Sequence, residues 1–203
     1  MSDKTYCYPP DYDVLKNKLG HRDAARLDRA ERRLVTQRLQ EPVPTGDFDW
    51  AHLRAIHHHL FQDIFDWAGE LRTVEISKGG SQFQFRQYIE TGMADVHRRV
   101  RAHNYLRDLD VDAFADLAGE IMGDVNYVHP FREGNGRAQL QYFKQLAEQA
   151  GFEVALWRLP DDRWMEASRQ AHMGDYGPMT KCLRQTLFEP KRPPPDKTRG
   201  KRR

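Results

Sequence analysis

Apolar residues recur at three- and four-residue intervals through most of this chain, and that period confines it to a helical fold. From Asp112 to Val128, the residues Phe114, Leu117, Ile121, Met122 and Val125 fall on one side of a helix. Ile89, Met93, Val96 and Val100 do the same between about Gln87 and Leu106. Trp50, Leu53, Ile56, Leu60, Phe61 and Ile64 form a third apolar face, capped by Asp47 or Asp49 and ending near Trp67-Ala68-Gly69. A charged run from Asp23 to Leu39 carries a narrower stripe of Leu27, Leu34, Val35 and Leu39. Further helices are predicted from Gly134 to Ala150, with Gly151 as a C-cap glycine, then after Asp161 or Asp162 as cap, and over Pro178 to Phe188. The period breaks once. Short extended pieces at Thr73–Ile76 and Gln82–Phe85 flank Ser77-Lys78-Gly79-Gly80-Ser81, whose glycines permit a tight reversal. The fold class expected is all-α, a helical bundle with one small β-hairpin.

At 203 residues the chain suits one domain, and ten Phe, eight Tyr and four Trp supply the bulk for one core. No run approaches the roughly 18 apolar residues a membrane span needs, and the first residues lack a signal peptide's apolar stretch. A cytoplasmic protein with no membrane partner is expected. Cys7 and Cys182 have no metal-ligand spacing and read as two reduced thiols. The net charge of +2 conceals a tail: residues 190–203 hold seven basic residues against Asp196 alone. Residues 1–189 are therefore read as the domain, and 190–203 as a basic, Pro-rich, disordered end. What remains is mildly acidic, which argues against nucleic acid as a partner.

The chemistry concentrates in His129-Pro130-Phe131-Arg132-Glu133-Gly134-Asn135-Gly136-Arg137. His129 and Pro130 stop one helix, because the residue before proline is pushed out of the α region. Phe131 returns the loop to the core. Gly134, Asn135 and Gly136 open the next helix with side chains too small to cover its N–H groups, and those groups suit phosphate. Arg137 adds a planar cation for phosphate oxygens. Glu133 is a hard oxygen ligand for a Mg²⁺ that arrives with a nucleotide. His129 is the group able to accept a proton near neutral pH. Together these are the parts for moving a phosphorus group onto a hydroxyl.

The stretch resembles the signature of the Fic family, HxFx(D/E)GNGRxxR, and matches each fixed position through Arg137. The resemblance extends to Ile56–Arg72, similar to the helix and turn before the family's hairpin, and to Tyr8-Pro9 and Val14–Gly20, similar to short Fic proteins of bacterial toxin–antitoxin pairs. It covers roughly Tyr8 to Phe188. It implies a protein adenylyltransferase moving AMP from ATP to a hydroxyl side chain. His129 would deprotonate the hydroxyl, Glu133 would hold Mg²⁺, Gly134, Asn135 and Gly136 would cradle the phosphates, and Arg137 would neutralise the leaving pyrophosphate. The hairpin, Ile76, Ser77, Lys78, Gly79, Gly80, Ser81, Gln82 and Phe83, would be a flap beside the active site that pairs with the target, with Lys78 or Phe83 as its clamp. Implied partners are a protein target, such as the ATPase subunit of a type II topoisomerase, and a small antitoxin bearing (S/T)xxxE(G/N), a motif this chain lacks. Kinase-like relatives carry Lys near the second glycine, and Gly136 argues against that chemistry.

One position departs from the signature: Leu140 stands where a second arginine is usual. Three consequences remain open. Lys144, one turn on, substitutes; or the enzyme is slow or takes a donor with no γ-phosphate to hold; or the chain is a catalytically impaired nucleotide-binding protein. Elsewhere His57, His58 and His59 read as exposed imidazoles on an amphipathic helix, since consecutive helical side chains diverge by about 100° and cannot share a metal. Trp157, Trp164 and Tyr176 read as core or as packing for a nucleotide base.

Overall fold

A computed structural model describes residues 3–78 and 80–189; the expectation for the 190–203 tail lies outside them. Among the described residues seven α-helices form the body: α1 (Ala24–Arg38), α2 (Trp50–Phe61), α3 (Ile89–Ala102), α4 (Val111–Val128), α5 (Asn135–Gln149), α6 (Asp161–His172) and α7 (Gly177–Arg184). α4 is the axis of the bundle, packed on α3, α5, α6 and α7, while α2 bridges α1 and α5. It earns that place by its sequence: Phe114, Ala115, Ala118, Ile121, Met122 and Val125 are all fully buried. Gly119 and Gly123 let α7 and the turn before it approach closely. A Cβ on either would lie within 2.5 Å of Thr180 or Tyr176. None of the described helices is long and apolar enough to cross a membrane.

Aspartates set three helix starts. Asp23 accepts from Arg26 N–H at 2.8 Å, Asp49 from His52 N–H at 2.8 Å, and Asp110 from Asp112 and Ala113 N–H. So Asp49, not Asp47, caps α2. α6 differs from expectation, since Pro160 occupies its N-cap and Asp161 is already helical. α2 ends at Phe61, short of Trp67, and the chain turns back through Gly69 at φ +82°. The helix expected from Gln87 to Leu106 is broken at both ends. Arg86–Tyr88 is a 3₁₀ turn, and positive φ at Asn104, Tyr105 and Leu106 swings fully buried Leu106 into the core.

The hairpin is smaller than predicted. β1 (Ser77–Lys78) and β2 (Ser81–Gln82) pair antiparallel, Ser77 with Gln82 and Lys78 with Ser81, around a turn where Gly80 has φ +84°. Thr73–Ile76 and Phe83–Phe85 are not ladder strands, because Arg72 takes the carbonyls of Val74 and Gln84 instead. A second two-stranded sheet was not foreseen. β3 (Glu153–Val154) pairs with β4 (Leu187–Phe188), so α7 stops at Arg184 rather than continuing to Phe188.

Candidate active site

α4 ends by turning left-handed at His129 (φ 46°, ψ 62°), whose N–H still donates to Val125 O at 3.1 Å. That twist throws the imidazole out of the helix and onto the wall of a cavity of about 1020 Å³, between the hairpin and α6. Nδ1–H of His129 donates to Asn126 O at 3.1 Å. A carbonyl can only accept, so this bond fixes the proton on Nδ1 and leaves Nε2 with its lone pair, without a partner among the described residues. Phe83 of the hairpin stacks on the ring at 3.8 Å. Burial pushes the His129 pKa down to about 4, against the Asn126 bond and with help from the positive charge of Arg72, Lys78 and His172.

Glu133 and the start of α5 stand on the same wall. Gly134 is the N-cap with φ +81° and has no side chain to offer, so α5 begins uncapped. Gly136 is open to the cavity: a Cβ there would meet nothing nearer than Trp164 Nε1 at 3.7 Å. Asn135 does not reach out. Its Oδ1 accepts from Phe131 N–H at 2.9 Å and its Nδ2 donates to Phe131 O at 2.8 Å, so it braces the loop from inside. Phe131 is the buried anchor that the sequence suggested. Glu133 Oε1 accepts from Gly134 N–H at 2.8 Å. Its other oxygen suits a small hard cation completed by phosphate and water, and among the described residues no cluster of three or more ligating side chains competes for one.

Arg137 points away from the cavity. Its guanidinium is ion-paired with Glu31 of α1, lies 3.5 Å from Glu133 Oε1 and covers the Phe61 ring at 4.8 Å. Glu31 is buried, which pushes its carboxyl pKa up while Arg137 pulls it back. Leu140 is partly buried and packs on the core. Lys144 does not replace the absent arginine, since it pairs with Glu148 at 3.0 Å and is not on the cavity wall. Of the hairpin, Ile76, Ser77, Lys78 and Phe83 line the cavity. Trp164 lines it too, whereas Trp157 is 81% exposed, neither core nor site.

His57 corrects the expectation of exposed imidazoles. It is fully buried and uses both nitrogens: Gly69 N–H donates to Nδ1 at 2.8 Å, and Nε2–H donates to Glu133 O at 2.9 Å. Its ring stacks on Phe131 at 3.8 Å, and burial pushes its pKa down to about 3. His58 and His59 each bond a separate backbone carbonyl, of Ala68 and Arg38. His57→Gln keeps one donor but loses the stack, so we expect about 2 kcal/mol of destabilisation by thermal unfolding. An unchanged midpoint would show that the stack on Phe131 contributes nothing.

The sequence pattern of the Fic/DOC family matches residues 47–147. The chain is 36% identical over 182 residues to a probable protein adenylyltransferase, y4lH, of Sinorhizobium fredii, covering 89% of this chain and 94% of that protein. It is 36% identical over 183 residues to protein adenylyltransferase VbhT of Bartonella schoenbuchensis, covering 89% of this chain but 38% of that longer protein. Among solved structures it is similar to the N-terminal Fic domain of a cell filamentation protein from Bartonella quintana with bound ADP. The TM-score is 0.85 and the identity 27%, over 94% of this chain and 98% of that one. BepC of Bartonella tribocorum with bound AMPPNP also has a TM-score of 0.85, at 25% identity, over 94% of this chain and 99% of that one.

Proposed function

The chain belongs to the Fic/DOC family, and from that membership we propose that it is a protein adenylyltransferase, with ATP as donor and a protein hydroxyl as acceptor. One observation carries the reading. The unprotonated Nε2 of His129 and the uncapped start of α5 border the same cavity, so a proton acceptor and a phosphate-binding helix end meet there. The target O–H gives its proton to Nε2 while the oxygen bonds to the α-phosphorus. The bond from that phosphorus to the oxygen bridging the α- and β-phosphates breaks, and pyrophosphate leaves. N–H groups at Gly136 and its neighbours donate hydrogen bonds to the phosphate oxygens. Glu133 would hold a Mg²⁺, which supplies positive charge to the phosphates when bound. Arg137 acts from the second rank, tied to Glu31 and Glu133, and steadies the carboxylate rather than the leaving group.

The hairpin, with Phe83 already on His129, is the surface we assign to the target. A toxin role, restraint by a small antitoxin and a topoisomerase ATPase subunit as target rest on resemblance alone. A second reading, nucleotide binding without transfer, is favoured by Leu140, which offers no charge to phosphate. The test is incubation of a bacterial lysate with Mg²⁺ and ATP labelled at either the α- or the γ-phosphate. We expect α-label in protein, no γ-label, and loss of signal with chelator. γ-Label in protein would instead mean kinase chemistry. Neither label with the native chain, but α-label with Leu140→Arg, would establish the second reading.

A further inference from the structure

Among the described residues, Arg72 is the largest fully buried side chain and the only fully buried arginine. It follows the Trp67–Leu71 turn, where no periodicity marks it for the core. A buried guanidinium is costly unless its donors are met. Here they are met by carbonyls from two separate segments. Nε–H donates to His129 O at 2.9 Å, and Nη2 also lies 3.4 Å from Val128 O. Nη1 donates to Val74 O at 2.9 Å, just before β1, and Nη2 to Gln84 O, just after β2. The Arg72 N–H donates to Pro130 O at 3.0 Å. Its one carboxylate neighbour, Glu75 at 3.3 Å, is itself 41% exposed.

The carbonyl of His129 is the significant acceptor. A residue other than glycine in the left-handed region is held there against a steric cost. Turning left-handed also takes the His129 carbonyl out of the helical ladder, and Arg72 receives it. We infer that Arg72 is a positioning residue for the transfer reaction: one guanidinium locks His129 in the conformation that aims its ring into the cavity, and joins that backbone to both ends of the hairpin. The base and the hairpin, whose Phe83 lies on that base, are therefore held as one unit. This rests on the proposed adenylyl transfer for its kinetic consequence, though not for its geometric one.

Arg72→Lys is the informative variant. It keeps the positive charge but replaces a planar fork with one ammonium, which cannot reach four carbonyls on opposite sides. Three measurements on the full chain decide the matter. Thermal unfolding reports whether the variant folds. Transfer from α-labelled ATP gives kcat and KM, and titration of the His129 ring by NMR, assigned with His129→Gln, reports the ring without needing activity. The charged groups facing that ring are Arg72, Lys78 and His172, and none of their charges is removed. We expect a folded variant with ATP affinity unchanged, kcat lower by about 10²-fold through misplacement of the base, and a His129 titration moved from the acid range toward 6.5 as water reaches the ring. Unchanged kcat with an unmoved titration would overturn the inference. So would a kcat loss no larger than the loss of folded protein. A native chain that transfers no label, but whose His129 titration still shifts in Arg72→Lys, would overturn the adenylyl-transfer reading while upholding Arg72 as the lock on His129. If Arg72→Lys does not fold, hydrogen exchange at Arg72 Nε in the native chain decides the matter: slow exchange is expected from its buried bond to His129 O, and exchange as fast as that of an exposed arginine would overturn the lock.

Discussion

His129→Ala is expected to lower the rate of AMP transfer by about 10³-fold while the protein stays folded and still binds ATP. The His129 imidazole presents an unclaimed lone pair at the cavity wall, because Asn126 O holds the proton on the opposite nitrogen. Alanine leaves the start of α5 and Glu133 untouched, so nucleotide affinity should survive. The pH dependence follows from the same contacts. Burial holds the His129 pKa down to about 4, so Nε2 is available at every pH above that, and the acid limb of kcat/KM should fall near 4. The stability sign runs the same way. A histidine whose pKa is lower folded than unfolded destabilises the fold as pH drops below about 6.5, and the loss is complete below about 4. His129→Ala should remove that part of the acid sensitivity, leaving the similar contribution of His57. An acid limb near 6.5 would mean that the ring is solvated in the working enzyme. Full transfer by His129→Ala would eliminate it as the base.

The loop from His129 to Arg137 was legible because its chemistry is local: a helix stop, an apolar anchor, a carboxylate and small residues at a helix start lie within nine positions. α4 and α5 were legible because their apolar periods are long and unbroken. What escaped depends on partners distant in sequence. Glu31 sits four residues from Leu27 and four from Val35, both buried, so a carboxylate in an apolar stripe was the available sign of a hidden cation. The cation is Arg137, 106 positions later by number, and nothing local announces the pair. His57 likewise lies four residues after Leu53 on the buried face, and its company of two more histidines disguised it. Arg72 left no periodic trace, because it is buried by loops rather than by a helix face. The two-residue strands failed for a plainer reason: two residues are too few for an alternation to register, and β3–β4 pairing joins segments that lie far apart along the chain.

Two glycines two residues apart, Gly134 and Gly136, should behave in opposite ways. Gly134 has φ +81°, and a Cβ there would lie 2.4 Å from Phe61 Cζ and 2.5 Å from Phe61 Cε2. Phe61 cannot yield, being fully buried, stacked on His57 at 4.6 Å and covered by Arg137. Gly134→Ala therefore carries both a left-handed backbone penalty and an overpacking penalty, together about 3–4 kcal/mol. For a domain of this size that is a fall in Tm of about 6–16 °C. The strain is relieved only by lifting the loop, which moves Glu133 and the first N–H groups of α5 together, so transfer should be lost as well. Gly136→Ala meets nothing closer than 3.7 Å and improves helix propensity, so the fold should be as stable as the native one. Its methyl group instead enters the cavity beside the N–H groups proposed for the phosphates, and the loss should appear in ATP affinity. Calorimetric unfolding and ATP titration of the two variants separate the roles. Equal destabilisation by both would mean that the loop is simply intolerant of side chains, and undiminished ATP binding by Gly136→Ala would remove the start of α5 from the nucleotide site.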